Sequence, residues 1–277
     1  MAFAEIAGRK VYYELHGPTE PTEPTEEEQP PPLMLIMGMG GSCRGWLPLQ
    51  VPDFSKSRKT LVFDNRGVGE SEDPGTAFST ADLADDAAQL LTALAISKAD
   101  VLGAFMGGMA AQELALRYPE RVRSLVLTGT YSRPDAKRRM LLSSWADLAH
   151  AGISDESMLR RRLVWTLQDE TLEQTDLIES MVQFYMKEGS PLSPELFARQ
   201  CAACIDHDSA DRLREITQPT LVVCGRNDQL TPPKFHRELA DEIPGAHLIT
   251  IHYGGHLVMA ESAERFNQVV LQFLRDQ

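Results

Sequence analysis

Short apolar runs recur along the chain, each almost without polar interruption: Leu33–Met37, Leu61–Phe63, Asp100–Leu102, Ser124–Leu127, Leu221–Cys224 and His247–Ile251. Continuous rather than alternating apolar character predicts strands of a parallel sheet covered on both faces. Between the runs the period changes to that of a helix. Residues 81–96 line up Leu83, Ala87, Leu90, Leu91 and Leu94, and Ser79 with Asp82 forms a capping-box pattern at the start. Residues 107–118 repeat the logic, as do residues 261–275 with Phe266, Val269, Val270, Phe273 and Leu274. Strands alternating with helices in this way predict an α/β protein with a doubly wound, mostly parallel sheet. Lys10–Leu15 alternates more, and is expected as an antiparallel edge strand.

Residues 132–217 break the rhythm. They contain helical stretches with Trp145, Trp165, Phe184 and Phe197, punctuated by Gly152, Gly189, Pro191 and Pro194. The expectation is a core of residues 1–131 and 218–277, interrupted by a helical lid, 132–217, over the carboxyl ends of the strands. A second irregular stretch, 18–32, repeats Pro-Thr-Glu three times and ends in three prolines. It has too little apolar surface to pack and is expected to be a mobile acidic loop.

Composition narrows the partners. The formal charge of −13 disfavours nucleic acid and anionic membranes. No apolar run approaches the roughly 18–20 residues of a membrane span. The first residues meet Glu5 before any apolar core, so no signal peptide is expected, and the four cysteines show no disulfide framework. A cytoplasmic protein acting on a small molecule, with room for a homo-oligomer, fits these numbers. Cys201, Cys204 and His207, spaced by three, are candidate soft metal ligands, but no fourth ligand lies nearby. Neither a metal nor a cofactor is expected.

The chemistry-bearing residues follow the strands. Val101–Met109 runs from a strand through glycines into a helix. With serine at position 105 it would read G-x-S-x-G, the nucleophile elbow; the residue there is Phe105. Gly103, Gly107 and Gly108 leave space for a sharp turn around it. After another strand, Gly38-Met39-Gly40-Gly41 turns backbone amides toward a ligand, and the amides of Met39 and Met106 are candidate oxyanion donors. Asp228 ends a strand, and His256 follows 28 residues later on a loop. An aspartate there can orient an imidazole. Ser42 and Cys43 are the alternative nucleophiles, though a helix cap and a packed thiol are the simpler expectation. Asp64 and Arg66 are expected to tie a turn to the sheet. His236, His247 and His252 have no motif context and are expected to be structural or exposed.

Together these stretches resemble the α/β-hydrolase superfamily, in particular its small esterases, enol-lactonases and cofactor-free haloperoxidase-like members. Asp64–Ser71 is similar to a turn those proteins carry, Ala111–Leu127 to their helix and strand after the elbow, and His207–Gly225 to their return from lid to core. The resemblance spans nearly the whole chain. It implies Asp228 as triad acid, His256 as base, and Met39 and Met106 as oxyanion donors. The nucleophile has no counterpart, because Phe105 departs from the pattern, and Met37 stands where a histidine usually precedes Gly38.

A phenyl ring cannot be acylated, so covalent catalysis through position 105 is excluded. Proton transfer by a positioned base is not, and contributes roughly 10²–10⁴-fold. The expectation is an enzyme acting on a small apolar carbonyl compound (ester, lactone or β-dicarbonyl-like), with His256–Asp228 activating water or moving a proton in lyase or isomerase chemistry. A ligand-binding protein without turnover, and a serine esterase whose nucleophile has been replaced, are the alternatives.

Overall fold

The computed structural model describes residues 2–18, 30–188 and 192–277. Residues 19–29 of the expected acidic loop, with Gly189 and Pro191, lie outside the described residues. The chain runs β1 (Ala2–Ile6), β2 (Arg9–His16), β3 (Leu33–Ile36), α1 (Val51–Phe54), β4 (Thr60–Phe63), α2 (Thr80–Ala93), β5 (Ala99–Ala104), α3 (Met106–Arg117) and β6 (Val122–Thr128). Then come α4 (Ala136–His150), α5 (Asp155–Thr166), α6 (Asp169–Leu172), α7 (Thr175–Glu188) and α8 (Pro194–Asp206). β7 (Thr220–Gly225), α9 (Pro233–Glu242), β8 (His247–Ile251), α10 (Val258–Glu261) and α11 (Ala263–Arg275) complete it.

The eight strands form one sheet in the order β1-β2-β4-β3-β5-β6-β7-β8. From β4 to β8 every pairing is parallel. β2 is antiparallel to β4, as its alternation predicts, but it is not the edge. β1 pairs outside it. β1 went unread because only Ala4 and Ile6 of its five residues turn inward, too few to make an apolar run.

Neighbouring residues of the central strands face opposite layers, which is why the runs had to be apolar throughout. Met34 and Ile36 pack with Leu83 and Leu90 of α2 and Leu114 of α3. Leu33 and Leu35 pack with Phe266 and Val270 of α11. The capping box forms as read: the Asp82 amide donates to Ser79 Oγ at 3.2 Å, and the Ser79 amide to Asp82 Oδ2 at 2.7 Å. Asp64 and Arg66 also hold their turn. Asp64 accepts the Cys43 and Glu70 amides at 2.7 and 3.1 Å, and Arg66 pairs with Asp86 at 2.8 Å.

At the start of β5, fully buried Asp100 accepts from Arg58 at 2.6 Å, from Arg123 Nε at 2.8 Å and from Ser124 at 2.6 Å. Arg58 is itself buried. Asp100→Ala would strand that guanidinium without its counter-charge, so a loss of about 3–5 kcal/mol is expected. Urea denaturation of the variant beside wild type measures it.

Candidate active site

The strands deliver their following loops to one end of the sheet, the carboxyl ends of the parallel strands, where such folds bind ligands. β5 ends at Ala104, and Phe105 makes the turn into α3 with φ 60° and ψ −121°. That region is sparsely populated for a residue with a Cβ, and holding it costs on the order of 1–3 kcal/mol. The glycines show why the turn is so tight. A Cβ on Gly107 would lie 2.1 Å from the Ile36 carbonyl oxygen, and one on Gly103 2.4 Å from the Gly107 oxygen. The elbow geometry is present with a phenyl ring on its apex.

That ring fills a slot. A Cβ on Gly38 would stand 2.5 Å from the Phe105 Cβ, and one on Gly129 2.5 Å from its Cδ1. On its open face the ring stacks on the His256 imidazole, centroids 4.3 Å apart and planes 27° apart. Stacking covers a face of the imidazole and leaves its edge, where the nitrogen lone pairs lie.

His256 Nδ1 is 3.0 Å from Asp228 Oδ2 and 3.0 Å from Thr231 Oγ1. Thr231 donates its hydroxyl to Asp228 Oδ2 at 2.7 Å and its amide to Oδ1 at 2.7 Å. An ionised carboxylate only accepts, so Nδ1 carries the proton and Nε2 is left as the basic nitrogen. Burial pulls the Asp228 carboxyl upward. The charge and hydrogen bond of His256, then His236 and Thr231, more than offset it, and Asp228 titrates below the ordinary carboxylate value. Thr231 was not singled out from sequence, although an Asp followed three residues later by Thr is the pattern of a side-chain-stabilised turn.

His236, expected to be structural or exposed, is fully buried and accepts the Gly129 amide on Nε2 at 3.0 Å. It therefore props the slot from below. His252 sits beside Arg226, 3.0 Å away, and His247 is exposed. Ser42 occupies the cap position of a short 3₁₀ helix without a capping hydrogen bond, and borders the cavity. Cys43 is fully buried, and burial followed by the neighbouring Asp64 pushes its thiol far up. Cys201, Cys204 and Cys224 are likewise buried and unbridged. Cys201 turns toward the Met39 sulfur at 3.7 Å, while His207 Nδ1 meets Thr80 Oγ1 at 2.8 Å. Among the described residues no group of three or more His, Cys, Asp or Glu side chains is placed to hold a metal ion.

Burial, with Arg212 adding to it, takes His207 down to about 3. Burial takes His236 down to about 4. Both lie below the unfolded value of about 6.5. Between those values the unfolded chain binds more protons than the folded one, so stability falls as pH drops from about 6.5 toward 4. Urea midpoints at pH 7 and pH 4.5 should show the fall, and His207→Gln should make it shallower.

The loop Gly38–Gly41 closes as a turn, with the Gly41 amide donating to Gly38 O at 3.3 Å and Gly40 at φ +72°. The peptide between Met39 and Gly40 is held at both ends. Arg162 Nη2 donates to the Met39 oxygen at 2.8 Å, and the Gly40 amide donates to Gln200 at 2.8 Å. Tyr185 donates to the Gly40 oxygen. The Met106 amide is the first of α3, where a helix offers no internal acceptor. The His256 loop is fastened from the same side. Leu257 N donates to Thr166 O at 2.9 Å, and Gln168 Oε1 accepts from Gly254 N at 2.8 Å and Asn227 Nδ2 at 3.0 Å. No local sequence signal marks Arg162, Gln168, Tyr185 or Gln200. Their partners are many residues away, and each could have been an exposed helix position.

These loops and the helices between β6 and β7 line a cavity of about 720 Å³, a size suited to a small organic molecule. Phe105, His256, Trp145, Leu163, Met181 and Phe184 are among its walls. No helix among the described residues is long and apolar enough to cross a membrane.

The family model described as "alpha/beta hydrolase fold" matches residues 31–263. RutD of Stutzerimonas stutzeri strain A1501, named provisionally as a carbamate hydrolase, is 29% identical over 273 residues, covering 96% of this chain and 97% of that protein. BpoC of Mycobacterium tuberculosis strain H37Rv, named provisionally as a non-heme bromoperoxidase, is 33% identical over 246 residues, covering 87% and 93%. Among solved structures, the enol-lactonase of Burkholderia xenovorans LB400 superposes with a TM-score of 0.87 at 25% identity, covering 99% of this chain and all of that one. Sheet order, strand-end loops and match over most of its length agree: this chain belongs to the α/β-hydrolase fold family.

Proposed function

We propose that this protein is an enzyme that moves a proton on a small carbonyl compound without forming a covalent intermediate at position 105. One observation carries it: an imidazole held by a buried carboxylate at 3.0 Å stands on the wall of a largely apolar cavity. His256 Nε2 takes the proton, from water or from a carbon beside the carbonyl. Asp228 orients the ring and stabilises its charged form. The amides of Met39 and Met106 hold the developing oxyanion, and residues 132–217 act as a lid that excludes water. Hydrolysis by activated water and lyase or isomerase chemistry both fit this set. The names of RutD and the Burkholderia enol-lactonase, one a hydrolase and one a lactonase, support a carbonyl substrate. Four buried free thiols suit a reducing cytoplasm.

Deuterium exchange next to the carbonyl of phenylacetone, followed by NMR in D₂O, tests the base. Exchange should be catalysed by wild type and lost in His256→Ala. Equal rates would remove the base from the account. A second reading, ligand binding without turnover, draws on the Phe105 ring. It fills the place where a nucleophile would stand and covers a face of His256. Saturable ligand binding with no exchange and no hydrolysis would favour it.

A further inference from the structure

The described arginines with the most buried side chains meet carboxylates. Arg58 pairs with Asp100 at 2.6 Å, Arg66 with Asp86 at 2.8 Å and Arg138 with Asp135 at 3.1 Å. Arg162 does not. It is half-buried on α5, at the cavity wall, and among the described residues no carboxylate lies within ion-pairing distance of it. Its hydrogen bond goes to a neutral acceptor, the Met39 oxygen, and its guanidinium lies 5.6 Å from the Phe197 ring centroid. Its Nε is buried without a partner, and its Nη1 lies 2.5 Å from where a Cβ on Gly40 would stand. In a chain with 40 acidic and 27 basic side chains, this cation has no counter-charge among the described residues. The other charged groups on that wall differ: Arg44 also lines it and is not without a partner. Arg138 is paired as above, and Glu261 accepts the Gly255 and Gln168 amides at 2.6 and 3.1 Å.

A guanidinium partly removed from water, beside apolar walls, gains most from a ligand that brings the missing charge. We infer that the cavity is built for an anionic substrate, a carbonyl compound carrying a carboxylate, with Arg162 binding the carboxylate beside the glycine turn. This rests on the cavity being the substrate site proposed above. It adds polarity to that site: one end of the substrate meets Arg162 at the Met39–Gly40 turn, and its apolar body lies toward Trp145 and Leu163. A neutral ester of the same shape would leave the guanidinium unmatched.

Isothermal titration calorimetry with phenylpyruvate and with its methyl ester tests this. Wild type should bind the carboxylate about ten- to a hundredfold more tightly than the ester, the range of a charge-assisted hydrogen bond. Arg162→Met should lose the preference, and Arg162→Lys should keep part of it. His256→Ala should keep it whole, so a failed base and a failed anion site give different results. Equal affinity for acid and ester in wild type, no saturable binding of the acid, or an undiminished preference in Arg162→Met would each overturn the inference. Melting temperatures of the Arg162 variants show whether a loss comes from unfolding, and in that case the wild-type comparison alone decides.

Discussion

Phe105→Ser should convert the protein into an ester hydrolase that works through an acyl-enzyme. With p-nitrophenyl butyrate, a burst of nitrophenol stoichiometric with protein should precede steady turnover, at a rate at least about 10²–10³-fold above wild type. The reason is that the elbow backbone and an imidazole held by a carboxylate are already in place. The backbone at 105 holds the elbow conformation, φ 60° and ψ −121°. The His256 ring is oriented by Asp228 and Thr231, with Nε2 unprotonated. Removing the phenyl ring frees the slot between Gly38 and Gly129 and uncovers the imidazole face. A burst in wild type would mean that another side chain serves as nucleophile. Unchanged, burst-free kinetics in the variant would mean that the donors or the base are not aligned on position 105.

His256→Ala should lower wild-type turnover of a carbonyl substrate by about 10²–10⁴-fold, the range contributed by a positioned base. Asp228→Asn should fall in the same direction. Its amide can present an N–H to Nδ1, so the ring turns to the tautomer with its proton on Nε2 and loses its basic edge. KM should change much less than kcat in both variants, since neither side chain is needed to fill the apolar walls. Steady-state kinetics of the three proteins, with circular dichroism to verify the fold, check this. Turnover unaffected by His256→Ala would take the base out of the reaction and put the chemistry on other groups.

Much of the scaffold was legible because a parallel strand buried on both faces must be apolar throughout. Leu33–Met37 and Leu221–Cys224 could hardly be anything else. Strain and steric closeness were legible too, since Gly103 and Gly107 are required where backbones approach within contact. Asp228 and His256 were readable because each follows a strand in the order that the elbow demands. β1 was hidden because only Ala4 and Ile6 of it turn inward, and the place of β2 inside the sheet was hidden with it. The parts contributed by α5, α7 and α8 were hidden for a different reason. Arg162, Tyr185 and Gln200 act on Met39 and Gly40 across more than a hundred residues of chain, and a helix surface carries such side chains whether or not they find a partner. Phe105 was visible at once, but its stacking on His256 depends on a slot that only the folded strand ends create.

α5 and the turn after it hold both loops, through Arg162 on one and through Thr166 and Gln168 on the other. A displacement of α5 would therefore disturb both loops at once. Leu177 and Phe184 of α7 border the cavity and remain 43% and 44% exposed, but Tyr185 of the same helix holds the Gly40 oxygen, so α7 is tied to the glycine turn as well.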